Sequence, residues 1–174
     1  VWRFKSFDPI VEKDQLVTHE KKRMRAIQLT DDLKNWFKPE YDDSKWSSGR
    51  APVGTALYNG NAPKFANQSD WGKGEFIVMR TSFELDAPDF DFYRMSVLTA
   101  QGFKVYLNGH EIADYGWWFE SQFYSPWEVN VTKHLKKGTN VLAVHANAEY
   151  DQKTKQPFGQ IDCFIEGLKL SDLE

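Results

Sequence analysis

At 174 residues the chain is long enough to bury one sizeable core and short for two, so a single domain over 1–174 is expected, with residues 1–23 read as an irregular N-terminal extension. Its charges interleave to a net −3, which excludes the basic footprint of a nucleic-acid or anionic-lipid binder, and its one cysteine, Cys163, excludes an intrachain disulfide, a zinc ribbon or a CxxC redox pair. No apolar run nears the ~18 residues that a bilayer-spanning helix needs, whereas an aromatic content of 16% with seven Trp demands either a ring-rich core or a ring-rich binding surface.

The apolar residues fall mostly in short alternating runs bounded by Gly, Pro, Asn and Asp, the period-two signature of half-buried strands. In the first third, the basic run Glu20 to Arg25 reads as a solvated strand edge, Met24–Thr30 as a strand, and Tyr41–Trp46 as a polar turn or single helical turn set by Asp42, Asp43 and Ser44. A long loop from Gly54 to Gly74 follows. Phe76–Leu85 places Ile77, Met79, Thr81, Phe83 and Leu85 on one face, and Tyr93–Thr99 groups Tyr93, Met95 and Val97. Phe103, Val105 and Leu107 alternate up to Asn108-Gly109, the dipeptide that most readily supplies two positive φ angles in a two-residue hairpin.

After a second loop, Asp114–Pro126, Val129 and Val131 start another strand. Lys136–Asn140 is a Gly-containing turn, and Val141–Ala146 is apolar on both faces. A third loop, Ala148–Gly159, precedes a last strand over Ile161–Leu170, where Cys163 alternates in phase with Ile161 and Ile165 as a buried thiol. About eight main strands with little helix give an all-β fold, a β-sandwich or jelly roll, and leave no helical crossovers for a parallel doubly wound sheet.

Two segments in this order carry a resemblance: VYLNGHEI over Val105–Ile112 and PWEVNVTKHLKKGTNVLAV over Pro126–Val144, preceded by YDDSKW at Tyr41–Trp46, GRAPVG at Gly49–Gly54 and MRTSFEL at Met79–Leu85. Together they resemble the galactose-binding-like jelly roll of the sugar-binding domain of family-two glycoside hydrolases and of related accessory modules, over roughly residues 30 to 168. The resemblance implies a β-sandwich whose parent protein carries catalysis on a separate domain, a polysaccharide as the wider target, and a secreted, periplasmic or cell-surface location. In relatives calcium is a structural ion near the chain ends, for which Asp31, Asp32 and Asp162 are the candidate donors. Asp31 and Asp32 are read more simply as turn formers. These are scaffold motifs, and a scaffold hosts many activities.

The chemistry therefore has to come from the loops. Tyr115-Gly116-Trp117-Trp118-Phe119, continuing to Phe123, Tyr124 and Trp127, places adjacent tryptophans that cannot both face a core from one regular strand. Flat rings stack on the C–H faces of sugars while neighbouring polar groups bond the hydroxyls, so Trp117, Trp118 and Tyr115 with Glu120 are the candidate ligand platform. Tyr58, Asn59 and Trp71 of the first loop form a second wall and Tyr150 of the third loop another. The competing readings are rings that cap one end of the sandwich, with Trp71 tucked beneath its loop, and a protein-protein interface, which favours Trp and Tyr equally.

No GxSxG, HExxH, phosphate-loop or GxGxxG motif is present, and His19, His110, His134 and His145 show no ligand spacing. The expectation is a non-catalytic carbohydrate-binding module without a cofactor. The rivals are a structural or protein-interaction sandwich and a glycoside hydrolase or lyase acting by itself.

Overall fold

The structure is a computed structural model that describes residues 1–8, 29–55, 66–115, 124–128, 130–150 and 157–173. In chain order the strands are β1 (Trp2–Phe7), β2 (Ser47–Gly49), β3 (Val53–Gly54), β4 (Ser69–Asp70), β5 (Phe76–Leu85), β6 (Phe92–Thr99), β7 (Phe103–Leu107), β8 (His110–Tyr115), β9 (Ser125–Glu128), β10 (Gly138–Asn147), β11 (Glu149–Tyr150), β12 (Pro157–Phe158) and β13 (Gln160–Leu168). Short 3₁₀ turns at Asp31–Leu33, Thr132–His134 and Leu170–Leu173 are the helical pieces among the described residues.

The strands form a six-stranded sheet in the order β2-β1-β5-β10-β7-β8, a five-stranded sheet in the order β4-β3-β13-β6-β9, and the small hairpin β11-β12. One cluster of buried side chains joins the two large sheets: Phe4, Ile77, Met79, Phe103, Val105, Leu107 and Val144 from the first meet Val53, Met95, Val97, Ile161 and Cys163 from the second. The chain is thus an all-β sandwich, as the alternating runs predict.

The Asn108-Gly109 hairpin forms as expected, with φ of 52° and 84° at its two central residues. Other expectations shift. The N-terminal segment read as irregular contains β1, which pairs antiparallel with both β2 and β5, for instance Phe4 opposite Met79. Of the strand expected from Val129 and Val131, Val129 lies outside the described residues, and β9 covers the preceding Ser125–Glu128. Val131 is buried and leads directly into the 3₁₀ turn, its N–H bonding to the Tyr93 carbonyl at 2.8 Å. The strand expected over Met24–Thr30 lies largely outside the described residues, as does the basic run Glu20 to Arg25.

The six-stranded sheet is buried on both faces at its centre, along β10 and the first half of β5, which explains the continuous apolar run of β10. Its outer face is covered by a strap, residues 29–46, whose Leu33, Trp36 and Trp46 are buried. The Trp36 ring lies edge-on to Tyr106 at 5.6 Å between centroids and to His145 at 6.0 Å, and Phe37 stacks on Tyr106 at 4.5 Å. Arg80 of β5 fastens the strap to the sheet. Its guanidinium, in a side chain only 4% exposed, donates to Asp43 Oδ2 at 2.7 Å and to the carbonyls of Trp36 at 2.6 Å and Lys38 at 2.8 Å. A buried cation is tolerated only when paired and fully hydrogen-bonded, and the planar five-donor fork of arginine meets that demand here. Asp42 forms the turn expected for it by accepting the Ser44 N–H at 3.0 Å, whereas Asp43 serves the sheet.

Candidate functional site

Strand register determines where the described ends of the three long loops stand. The pairings Phe103–Tyr115, Asn147–Phe76, Ile161–Thr99, Gln160–Gly54 and Val97–Ser125 put the end of β8, the end of β10, the starts of β9 and β13 and the end of β3 at one pole of the sandwich. The described residues flanking all three loops therefore converge there, and the Asn108-Gly109 turn lies at the opposite pole.

The bases of the first and third loops are joined by hydrogen bonds. The Thr55 N–H donates to the Gly159 carbonyl at 2.9 Å and the Gly159 N–H returns to Thr55 Oγ1 at 3.0 Å. Asn67 bridges the two, donating through Nδ2 to the Thr55 carbonyl at 3.3 Å and accepting from Gln160 Nε2 at 2.6 Å. A shallow cleft of about 350 Å³ opens at this pole, lined by Gly54, Asn67, Gln68, Ser69 and Asp70.

Beneath it lies Trp71. Only 1% exposed, it donates its indole N–H to the Gly74 carbonyl at 3.0 Å, and a Cβ added at Gly159 would stand 3.3 Å from its ring. Trp71 presents no ring face to a ligand. Its expected place in the second wall gives way to the packing alternative, because the close approach of the glycine backbone seals it in. Tyr115 is half-buried with its ring centroid 5.3 Å from that of Phe103, so one side of it supports the core. Tyr150 lies in the β11–β12 hairpin opposite Pro157. Trp117, Trp118, Glu120, Tyr58 and Asn59 lie outside the described residues.

Beside the same pole, on the outer face of the five-stranded sheet, Tyr124 donates its hydroxyl to Asp162 Oδ2 at 2.5 Å and sets its ring 5.2 Å from that of Phe164. Burial and the facing carboxylate push the Tyr124 hydroxyl well above the ordinary phenol range, and burial raises Asp162. Phe164 is 39% exposed, an uncovered ring next to a polar pair. Its outward position follows from the period-two alternation with Cys163, yet the sequence reading does not single it out.

Asp32, a candidate calcium donor, pairs instead with Lys5, which holds its carboxyl below the usual range, and Asp162 is engaged by Tyr124 and the Cys163 N–H. Among the described residues no three His, Cys, Asp or Glu side chains stand close enough to hold an ion. Cys163 is the buried thiol expected, and burial drives it away from the thiolate form. Two more polar clefts, of about 520 and 390 Å³, flank Tyr41 where the strap meets β1.

No family model matches the chain, and no curated protein matches it. Solved structures do. A calcium-binding mutant of Bacteroides uniformis beta-glucuronidase 2 superposes with a TM-score of 0.51 and 14% identity over 93% of this chain and 17% of that one. The same enzyme covalently bound to cyclophellitol-6-carboxylate aziridine gives 0.50 and 15% over 92% and 16%. A beta-glucuronidase from glycoside hydrolase family 2 gives 0.49 and 18% over 92% and 16%. The chain shares the fold of a segment amounting to about a sixth of the length of these enzymes. That agrees with the scaffold resemblance carried by VYLNGHEI and the segment from Pro126 to Val144.

Proposed function

We propose that the chain is one domain acting as a non-catalytic carbohydrate-binding module of a polysaccharide-processing protein, secreted or held at the cell surface beside a catalytic domain. The observation that carries this reading is the convergence of the three loop bases, joined by Asn67, Thr55, Gly159 and Gln160, at one pole of a sandwich whose fold matches a segment of glycosidases. The described ends of the chain segments that carry Trp117, Trp118, Tyr58 and Asn59 in the sequence meet at that pole, beside Tyr115, Tyr124 and the exposed Phe164.

Binding would be the whole mechanism. Rings stack on sugar C–H faces, Glu120 and amide groups such as that of Asn67 meet the hydroxyls, and each contact is modest, so affinity is weak. A glycan array and affinity electrophoresis of the native chain and a Trp117→Ala/Trp118→Ala double variant test the platform. The expected result is retention of the native chain and at least about a tenfold loss in the variant, the size of losing one or two stacking contacts. Equal retention of both overturns the platform.

A further inference from the structure

The pole opposite the loops holds a pair that the linear spacing hides. The 108–109 turn delivers His110 as the first residue of β8, and the 3₁₀ turn Thr132–His134 delivers His134 beside it, with ring centroids 5.5 Å apart and planes inclined by 36°. Both sit on a braced frame. Asn108 Nδ2 donates to the His134 carbonyl and to Asn140 Oδ1, each at 2.8 Å, and Asn108 Oδ1 accepts the Val141 N–H at 2.9 Å. Asn140, wholly buried, in turn accepts from the Lys136 N–H at 3.0 Å and donates to the carbonyls of Lys136 and Gly138 at 2.7 and 2.9 Å. Neither the hairpin turn nor the 3₁₀ turn can move without breaking this network.

Among the described residues neither imidazole hydrogen-bonds to a protein group, so the ring nitrogens stay open while the backbones beneath them are held. We propose that His110 and His134 form a two-histidine site for a borderline divalent transition-metal cation, with Zn²⁺ as the representative ion. An ion bonded at ~2.0–2.1 Å to one nitrogen of each ring lies roughly 3.2 Å from each centroid, so at tetrahedral angles the centroids stand roughly 5.2 Å apart, close to the spacing found. Imidazole nitrogen suits zinc, copper and nickel and not the oxygen-seeking magnesium or calcium. No third His, Cys, Asp or Glu completes the site among the described residues, which leaves the remaining positions to water and limits the strength of binding.

Calorimetric titration of the full chain with ZnCl₂ near neutral pH tests the site. The expected result is one saturable zinc per chain, weakened at least about tenfold by His110→Gln or by His134→Gln. Zinc also raises the melting temperature of the native chain and not of either variant. In the native protein, zinc shifts the imidazole proton resonances of His110 and His134 together, a reading that needs no variant. Absence of saturable zinc binding, undiminished binding in either variant, or resonance shifts confined to other histidines overturns the proposal.

Discussion

His145 lies on the strap side of β10, buried among Phe7, Phe76 and Trp36, and its Nε2 has no hydrogen-bond partner among the described residues. Burial, reinforced by the neighbouring Lys104 and opposed by Asp114, lowers its pKa from the ordinary 6.5 to about 3. Above pH ~6.5 the imidazole is neutral in both folded and unfolded chains. Below that, the unfolded chain takes a proton that the folded chain refuses. Stability is therefore lost on acidification at up to ~1.4 kcal/mol per pH unit down to about pH 3. Denaturant melts of the native chain and His145→Gln are expected to diverge less and less as pH falls from about 6.5 to 4. Curves that stay parallel over that window contradict the assignment. Asn140 is the other residue whose role is structural and specific: Asn140→Ala strips partners from the Asn108 amide, the Lys136 N–H and two carbonyls. Its expected cost is about 2–3 kcal/mol, read from the same melts.

At the scale of elements, the strap and β5 act as a unit. Replacing Arg80 by Met keeps the volume but leaves the Asp43 carboxylate and the Trp36 and Lys38 carbonyls without their donor. We expect a loss of about 3 kcal/mol, tempered by the partial exposure of Asp43, and a rise in tryptophan emission wavelength as Trp36 meets water. Unchanged stability would mean that the strap is held by its rings alone. The strap also marks the limit of what local sequence conveys. β5, β7, β10 and β13 were legible because one or both faces are buried and the side-chain period states it directly. β2, β3 and β4 are two or three residues long and carry no period at all. β1 alternates, but its meaning depends on β5, more than seventy residues away in the chain, as Phe4 opposite Met79 shows. Likewise Leu33, Trp36 and Phe37 lie outside any strand, and what gives them their place is the outer face of the sheet.

For the whole molecule, the sandwich brings to one pole the described ends of loops that lie about a hundred residues apart in the chain, and it sets a second, histidine-bearing pole apart from it. The ring-rich loop was legible as a candidate because adjacent tryptophans do not fit a strand. Trp71 shows the converse: a tryptophan in a polar loop suits either a binding wall or a place tucked beneath its loop in the sequence, and the closeness of the Gly159 backbone puts it in the core. Phe164 went unremarked because alternation says which face a ring takes and not whether anything covers that face. The most direct test of carbohydrate recognition at the loop pole is an NMR titration of the labelled chain with the glycan it retains best. Amide shifts are expected to cluster at Thr55, Asn67, Tyr115, Tyr124 and Gln160, with those around His110 and His134 unmoved. Shifts centred on the clefts beside Tyr41, or none with any glycan at millimolar concentration, would contradict it.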